Sequence, residues 1–448
     1  MRVLITTEWY APVINGVVTS VLNLQRELEC RGHEVRILTL SGTAESYTEG
    51  NVTYVASVNA DRIYPQARVA VNPWSGEIEK LMRWCPQVIH SQCEFSTFFM
   101  ACRIAGELNI PIVHTYHTVY EDYTHYFSPV KKWGRAAVGA FTRKVLSHTR
   151  CVIVPTEKVR RILLRYGVNQ EIRVIPTGIE MERYSKVLSD GERQELRRQL
   201  GIPEQAGTAV FVGRLAREKN LEEILSMISM AKQENFRLLV VGDGPYRQTL
   251  EEYVKKRGIG NQVIFTGMVS PDEVYKYYQA GDVFVSASTS ETQGLTYVEA
   301  LANGLPALCR KDDCLEGVIE NGVNGWQYED SIDFMEKLGE ILAPENGELR
   351  RRLSVNAREG VCERYSAAQF AENMEQIYES VVRAAEIAYV HAVYECGYSP
   401  GMHVLLKGCI HYLKKGEFHE KSVLYPDGGE SGGNGSFHYI RVENGYFL

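Results

Sequence analysis

Through residues 1–386, short apolar runs alternate with stretches in which apolar side chains recur every three to four positions, the signature of strands and amphipathic helices in turn. In the front half the runs predict strands at Arg2–Thr7, Val35–Leu40, Val52–Ala56, Gln87–Ser91, Pro111–His117, Cys151–Pro155 and Arg173–Pro176. Strands this short and continuously apolar suit parallel sheets covered by helices on both faces. A helix over Val17–Arg31 begins behind Asn15-Gly16 and ends at Gly32, a residue suited to the left-handed conformation that closes helices. The polar stretch Ser185–Ala206, with Gly201-Ile-Pro203, interrupts the pattern. It restarts with strands at Ala209–Gly213, Arg237–Val241, Gln262–Thr266, Val283–Ser286 and Pro306–Cys309, and a helix over Ala367–Ala385 is expected to complete the second unit. The fold class is therefore α/β, with doubly wound domains over 1–190 and 191–386 whose strand carboxyl ends face one cleft. Residues 387–448, with Lys414-Lys415 and Gly428-Gly-Glu-Ser-Gly-Gly-Asn-Gly435, form an appendage whose distal part is expected to be flexible.

Composition adds boundaries to this picture. A chain of 448 residues with 44% hydrophobic and 23% charged residues suits about two ordinary soluble domains. Its longest apolar runs, such as Val152–Pro155 and Leu238–Val241, are far too short to span a bilayer. Met1-Arg-Val-Leu-Ile enters a strand directly and does not read as a secretory signal. The 10 cysteines are scattered without a C-x-x-C pair, which suits free thiols in a reducing cytosol. Residues 1–185 carry 21 Lys+Arg against 17 Asp+Glu, and the remainder 28 against 39, giving the net charge of −7. That balance excludes the strong basic face of a nucleic-acid binder and is compatible with an anionic membrane surface.

The chemistry concentrates in Val283-Phe-Val-Ser-Ala-Ser-Thr-Ser-Glu291-Thr-Gln-Gly294-Leu-Thr-Tyr-Val-Glu299. A strand ends, a carboxylate and a glycine follow, and a helix begins whose free N–H groups suit a phosphate. Glu299 falls one and a half turns into that helix and can face the same cleft as Glu291. In isolation such a pair is more often a cap and a solvated helix residue. Gly213-Arg214-Leu-Ala-Arg-Glu-Lys219-Asn220 adds two cations at a strand end, able to neutralise a diphosphate without metal. Gly242-Asp-Gly244-Pro ends the next strand. Neither G-x-G-x-x-G nor GxxxxGK[ST] occurs there, so dinucleotide oxidoreductase and P-loop readings lose support. In the front half, Trp9-Tyr-Ala-Pro-Val-Ile-Asn15-Gly16 is a loop entering a helix, and His117 ends a strand, where a lone histidine is a ligand candidate but more often structural. Asp312-Asp313 is not a D-x-D metal motif, and no cluster has convincing metal spacing.

Jointly, Asn15-Gly16, His117, Gly213-Arg214 with Lys219-Asn220, Gly242-Asp-Gly-Pro245 and the Glu291/Glu299 pair resemble the retaining GT-B glycosyltransferases of glycosyltransferase family 4 over about residues 1–386. The resemblance implies two Rossmann-like domains and a nucleotide-sugar donor. It implies that Arg214, Lys219 and the helix start at Gly294, Leu295 and Thr296 meet the pyrophosphate. Glu299 would hold the ribose, Glu291 the donor sugar, Gly16 the phosphates or sugar, and Val269 in Gly267-Met268-Val269 the base. Glu291 and His117 are the candidate catalytic residues. The family often has an aromatic residue two positions after the first Glu, where this chain has Gln293, a departure that bears on sugar fit.

A narrower resemblance, to the bacterial diacylglycerol glucosyltransferases, rests on Pro111-Ile-Val-His-Thr-Tyr-His-Thr-Val-Tyr-Glu-Asp-Tyr-Thr-His-Tyr126, Val154-Pro-Thr-Glu-Lys-Val, Arg173-Val-Ile-Pro-Thr-Gly-Ile179 and Thr289–Glu299. It implies transfer of a hexose, with UDP-glucose the expected donor, to a lipid acceptor, with no cofactor or divalent metal. A soluble sugar or another lipid as acceptor, and a non-catalytic sugar-nucleotide-binding protein, stand as alternatives. Residues Val130–Leu146 agree with a lipid acceptor. Trp133, Ala137, Phe141 and Val145 repeat every four positions, while Lys131, Lys132, Arg135, Arg143 and Lys144 supply charge, as in a helix lying in a membrane interface. The same stripe would also serve a helix packed on its own sheet. The expected location is cytoplasmic, peripheral on the inner face of the cell membrane.

Overall fold

The computed structural model describes residues 1–60, 67–121, 131–231, 235–362 and 364–395, with the short strands Val423–Pro426, Phe437–Ile440, Val442–Glu443 and Tyr446–Phe447. The first large sheet has the spatial order Glu171–Val174, Cys151–Val154, Ile112–Thr115, Val88–Ser91, Arg2–Thr6, Glu34–Leu40, Val52–Val55, Tyr47–Glu49. All neighbours are parallel except the last pair. The second sheet is wholly parallel, in the order Val263–Gly267, Phe236–Val241, Gly207–Val212, Val283–Ser286, Ala307–Arg310, Gly325–Tyr328. From Gly207–Val212 the chain winds outward to one side, then crosses to the other at Val283–Ser286. The crevice beyond the carboxyl ends of those two strands is the switch point where such sheets hold ligands.

Successive strand residues feed opposite layers. Ala209, Phe211, Leu238, Val240, Val283 and Val285 enter one buried cluster, while Val210, Leu239, Val241 and Phe284 enter the other. Burial on both faces explains why these strands read as continuous apolar runs. Ser185–Ala206 is not a loose linker. Ser189 and Glu192 form a capping box on helix Asp190–Gln199, and buried Arg197 donates to the carbonyls of Ala280 (2.8 Å) and Ala206 (2.6 Å).

One expectation is corrected. Helix Ala367–Glu395 does not complete the second unit: Phe370, Ala371, Met374, Tyr378 and Val381 pack with Val3, Ile5, Leu24 and Val113 in the first domain's core. The Tyr378 hydroxyl lies 2.6 Å from His90 Nδ1 in that core. An apolar stripe on one helix face fits either sheet by period alone, and the direction of the preceding chain decides between them. Two segments cross side by side between the domains. Ile179 N–H donates to Tyr365 O (2.8 Å), and Ala367 N–H donates to Ile179 O (2.9 Å). A Cβ on Gly178 would lie 2.3 Å from Ser366 O, so only glycine permits this approach.

Candidate active site

The first three strands of the second sheet end in glycine turns that fit into one another. A Cβ on Gly242 would lie 2.0 Å from Gly213 O, and one on Gly244 2.3 Å from Leu215 O. Gly213 N–H donates to Val241 O and Leu215 N–H to Asp243 O, so the crevice floor is backbone. Arg214 stands exposed beside it and makes no side-chain hydrogen bond or ion pair with any described residue. Lys219 closes the turn Arg217–Lys219, and its Nζ lies 2.6 Å from Glu291 Oε1. Burial by itself would raise the Glu291 carboxyl. The charge and hydrogen bond of Lys219, the Ser288 hydroxyl and the Lys158 charge overcome it and hold Glu291 below its ordinary value.

Gly294 takes φ +72° to start helix Leu295–Ala302, and a Cβ there would lie 2.2 Å from the Tyr297 ring. The Leu295 and Thr296 amides precede the first intrahelical bond, from Tyr297 N–H to Gly294 O (3.0 Å). Glu299 is half-buried; its Oε2 accepts from the Tyr278 hydroxyl at 2.8 Å, and Tyr184 also donates to it. Burial dominates here and raises its carboxyl. Across the cleft, Asn15 caps helix Gly16–Cys30 through Val18 N–H (2.9 Å), and a Cβ on Gly16 would lie 3.8 Å from Leu295 Cδ1. Two helix N-termini thus meet between the domains, where their dipoles favour an anion. Val269 packs half-buried on the second-domain core just beyond Gly267.

His117 lies in the first domain, past the end of Ile112–Thr115, with Nε2 2.6 Å from Gln92 Oε1. Burial, then the neighbouring His114, push it down to about 3. It is a neutral hydrogen-bonding imidazole at physiological pH, with the proton on Nε2 and Nδ1 left as acceptor.

Two family profiles match the chain: Glycosyltransferase Family 4 over residues 14–183 and Glycosyl transferases group 1 over 192–360. The chain is 37% identical over 346 residues to the alpha-monoglucosyldiacylglycerol synthase of Streptococcus pneumoniae, covering 76% of this chain and 78% of that protein. It is 32% identical to the alpha-monoglucosyldiacylglycerol synthase of Acholeplasma laidlawii, covering 85% of this chain and 98% of that one. The chain belongs to the GT-B glycosyltransferases of family 4. Among solved structures the fold is shared with Anabaena HepE in complex with UDP, at TM-score 0.68 and 16% identity over 85% of this chain and 100% of that one. It is also shared with sucrose-phosphate synthase of Thermosynechococcus elongatus, at TM-score 0.69 and 21% identity over 86% of this chain and 99% of that one.

In this family 4 glycosyltransferase the basic helix spans Lys131–Leu146, and the stripe expected from its sequence is split. Val138, Thr142, Val145 and Leu146 are buried, and Gly139 lets the helix approach Tyr166. Trp133 and Phe141 remain exposed at 76% and 37%, with Arg135, Ala137 and Lys144 also outward. Arg143 donates to Tyr166 O at 2.9 Å. Phe141 stacks on Phe95, with ring centroids 5.8 Å apart. The Lys131 and Lys132 side chains, and residues 122–126 of the narrower motif, lie outside the described residues. No helix among the described residues is long and apolar enough to cross a membrane.

Gln293, the departure that bears on sugar fit, bonds its amide to the protein itself. It is buried, its Oε1 accepts from Thr177 N–H (2.8 Å), and its Nε2 donates to Thr177 O (2.9 Å), tying the donor-side loop to the interdomain crossing. Sequence reasoning also missed Tyr184 and Tyr278, which orient Glu299, and Lys158, which reaches Glu291 from the other domain. Their signal was faint: Lys158 sits in Val154-Pro-Thr-Glu-Lys-Val with nothing to mark its partner, and Tyr184 and Tyr278 fall outside every motif of the resemblance.

Proposed function

We propose that this glycosyltransferase moves glucose from UDP-glucose to diacylglycerol, with retention and without a divalent metal, at the anionic inner face of the cell membrane. The observation that carries the reading is the 37% identity, spanning both domains, to a protein named for alpha-monoglucosyldiacylglycerol synthesis. The donor-side geometry supports it. Arg214, Lys219 and the paired helix N-termini supply positive charge where a diphosphate would depart, the electrostatic task a metal performs elsewhere. The bond from the sugar C1 to the phosphate oxygen breaks, and the acceptor hydroxyl oxygen bonds to C1 on the same face. The hydroxyl proton passes to the departing phosphate. Glu291, ionised and held by Lys219, orients the sugar in this reading; neutral His117 offers Nδ1 to a sugar hydroxyl. The exposed Trp133 and Phe141 with adjacent cations support membrane contact.

The test incubates enzyme with diacylglycerol in anionic vesicles and UDP-[14C]glucose or UDP-[14C]galactose, with and without EDTA, and resolves the lipid extract on a thin-layer plate. A glucose-labelled band unchanged by EDTA is expected. A band only with galactose corrects the sugar, and loss in EDTA overturns metal independence. No band with either donor despite UDP binding moves the acceptor to a soluble sugar or another lipid.

A further inference from the structure

The loop that carries Glu291 is held from outside its own domain. Lys158, on helix Glu157–Arg165 of the first domain, donates to Thr289 O (2.9 Å), to Glu291 O (3.1 Å) and to both Asp312 oxygens (2.8 and 2.9 Å). Three acceptor groups match the three N–H donors of an ammonium. Both charged side chains are nearly buried, at 13% and 9% exposure. Next to this hub, Thr156 Oγ1 donates to Thr292 O at 2.7 Å, and the Gln293 amide pairs with Thr177. The first domain therefore engages consecutive positions from 291 to 293 as well as 289. The second domain holds the Glu291 side chain, through Lys219 and the Ser288 hydroxyl, and the Ser290 hydroxyl, which donates to Glu218 O at 3.2 Å.

We propose that Lys158 is a positioning residue: it makes the geometry of the Glu291 loop conditional on the two domains being docked. The proposal rests on the glycosyltransferase reading above. An ordinary interface ion pair would need only Asp312, yet two of the three Lys158 donors go to backbone carbonyls at and beside Glu291. The helix also carries such an ordinary pair. Arg161, one turn on, meets Asp313 at 3.1 Å and Glu316 at 3.5 Å on the surface, without touching the loop. When the domains separate, Lys158 leaves, the loop loses its ties at 289 and 291, and the sugar-facing carboxylate loses its fixed position. Misplacement on the scale of an ångström costs about a hundredfold in rate.

The experiment compares Lys158→Met, Asp312→Asn and Arg161→Ala in the full chain. It measures kcat and donor KM for glucosyl transfer, UDP affinity by calorimetry, and the pH profile of kcat. Lys158→Met is expected to lower kcat by about tenfold to a hundredfold with UDP affinity within about twofold, because Arg214 and Glu299 are untouched. Its acid limb is expected to move to higher pH, since a cation beside Glu291 is gone. Asp312→Asn is expected to shift kcat in the same direction by less, and Arg161→Ala to leave it within about twofold. The proposal is overturned if Lys158→Met keeps kcat within about twofold, if Arg161→Ala loses as much, or if UDP affinity falls in step with kcat. Should Lys158→Met fail to fold, Asp312→Asn is judged by the same criteria. If the wild-type enzyme labels no diacylglycerol, the acceptor reading fails, and UDP release from UDP-glucose in water, compared between wild type and Lys158→Met, decides the positioning role on its own.

Discussion

Removing the Glu299 carboxylate isolates donor binding from the rest of the reaction. Two of its acceptor sites are taken by the Tyr278 and Tyr184 hydroxyls, leaving the others for a ribose diol. Hydrogen bonds to a charged group contribute about 1.5–3 kcal/mol. At 1.4 kcal/mol per decade, Glu299→Ala should weaken UDP binding by roughly 10- to 150-fold. The same change strands two tyrosine hydroxyls, so Glu299→Gln is the cleaner variant. It keeps an acceptor for them, replaces charged bonds by neutral ones, and should cost roughly 2- to 12-fold, from about 0.5–1.5 kcal/mol. The pH dependence has a definite sign. Burial raises the Glu299 carboxyl, so wild-type affinity should fall as pH drops through that raised value more steeply than in the Gln variant, which keeps only the dependence of the UDP phosphate itself. Calorimetric titration with UDP between pH 5 and 8 (a range of about three units around neutrality) measures both effects. UDP affinity in Glu299→Ala within about twofold of wild type would refute the assignment of this carboxylate to the donor.

Three further outcomes are expected. Burial holds His90 well below 6.5 and His117 at about 3, so stability falls as pH drops from 6.5. Glu8, raised by burial to about 7, acts oppositely: between 7 and 4.5 the folded chain keeps a proton the unfolded chain releases, so stability rises as pH falls. From these three groups the net is about one proton, or ~1.4 kcal/mol per pH unit, and Glu8→Gln should steepen the overall dependence by about that amount; an unchanged slope in urea unfolding between about pH 6 and 5 would sink this pairing. Gln293→Ala should lower stability by about 2–4 kcal/mol, because it orphans Thr177 N–H and O, while leaving the preference between UDP-glucose and UDP-galactose unchanged; altered preference at full stability would return Gln293 to the sugar. Trp133→Ala should change stability by less than about 0.5 kcal/mol, Phe141→Ala should lower it by about 0.5–1.5 kcal/mol because it gives up the ring pair with Phe95, and each should reduce flotation with anionic vesicles by about tenfold; undiminished flotation would remove this helix from the membrane contact.

Most strands of the two large sheets were legible because burial on two faces makes runs such as Val283–Ser286 and Leu238–Val241 almost wholly apolar; Tyr47–Glu49, a polar and exposed edge strand, was not. The short strands Ser57–Asn59 and Arg68–Ala70 were not, since three residues with one exposed face leave no pattern. Gly325–Tyr328 was hidden for another reason: a strand opening on glycine, with a polar residue inside it, resembles a turn. At the site, Gly294 and Glu291 announced themselves through local backbone demands. Gln293 and Lys158 did not, because their partners lie more than a hundred residues away in the other domain. Helix Ala367–Glu395 shows the same limit, for its period fixed which face is apolar and not which sheet receives it.

That helix also fixes an order of events during synthesis. A first domain made from residues 1–184 alone would lack Phe370, Met374 and Tyr378, and His90 would have no hydroxyl at its Nδ1. Domains emerging from the ribosome tend to fold as units, the earlier one first. Here the earlier domain must wait with an open seam in its core until the later one has been made and the chain returns. A chain truncated near residue 360 should therefore expose apolar surface on its first domain and draw chaperones there, although it carries every strand of its second sheet.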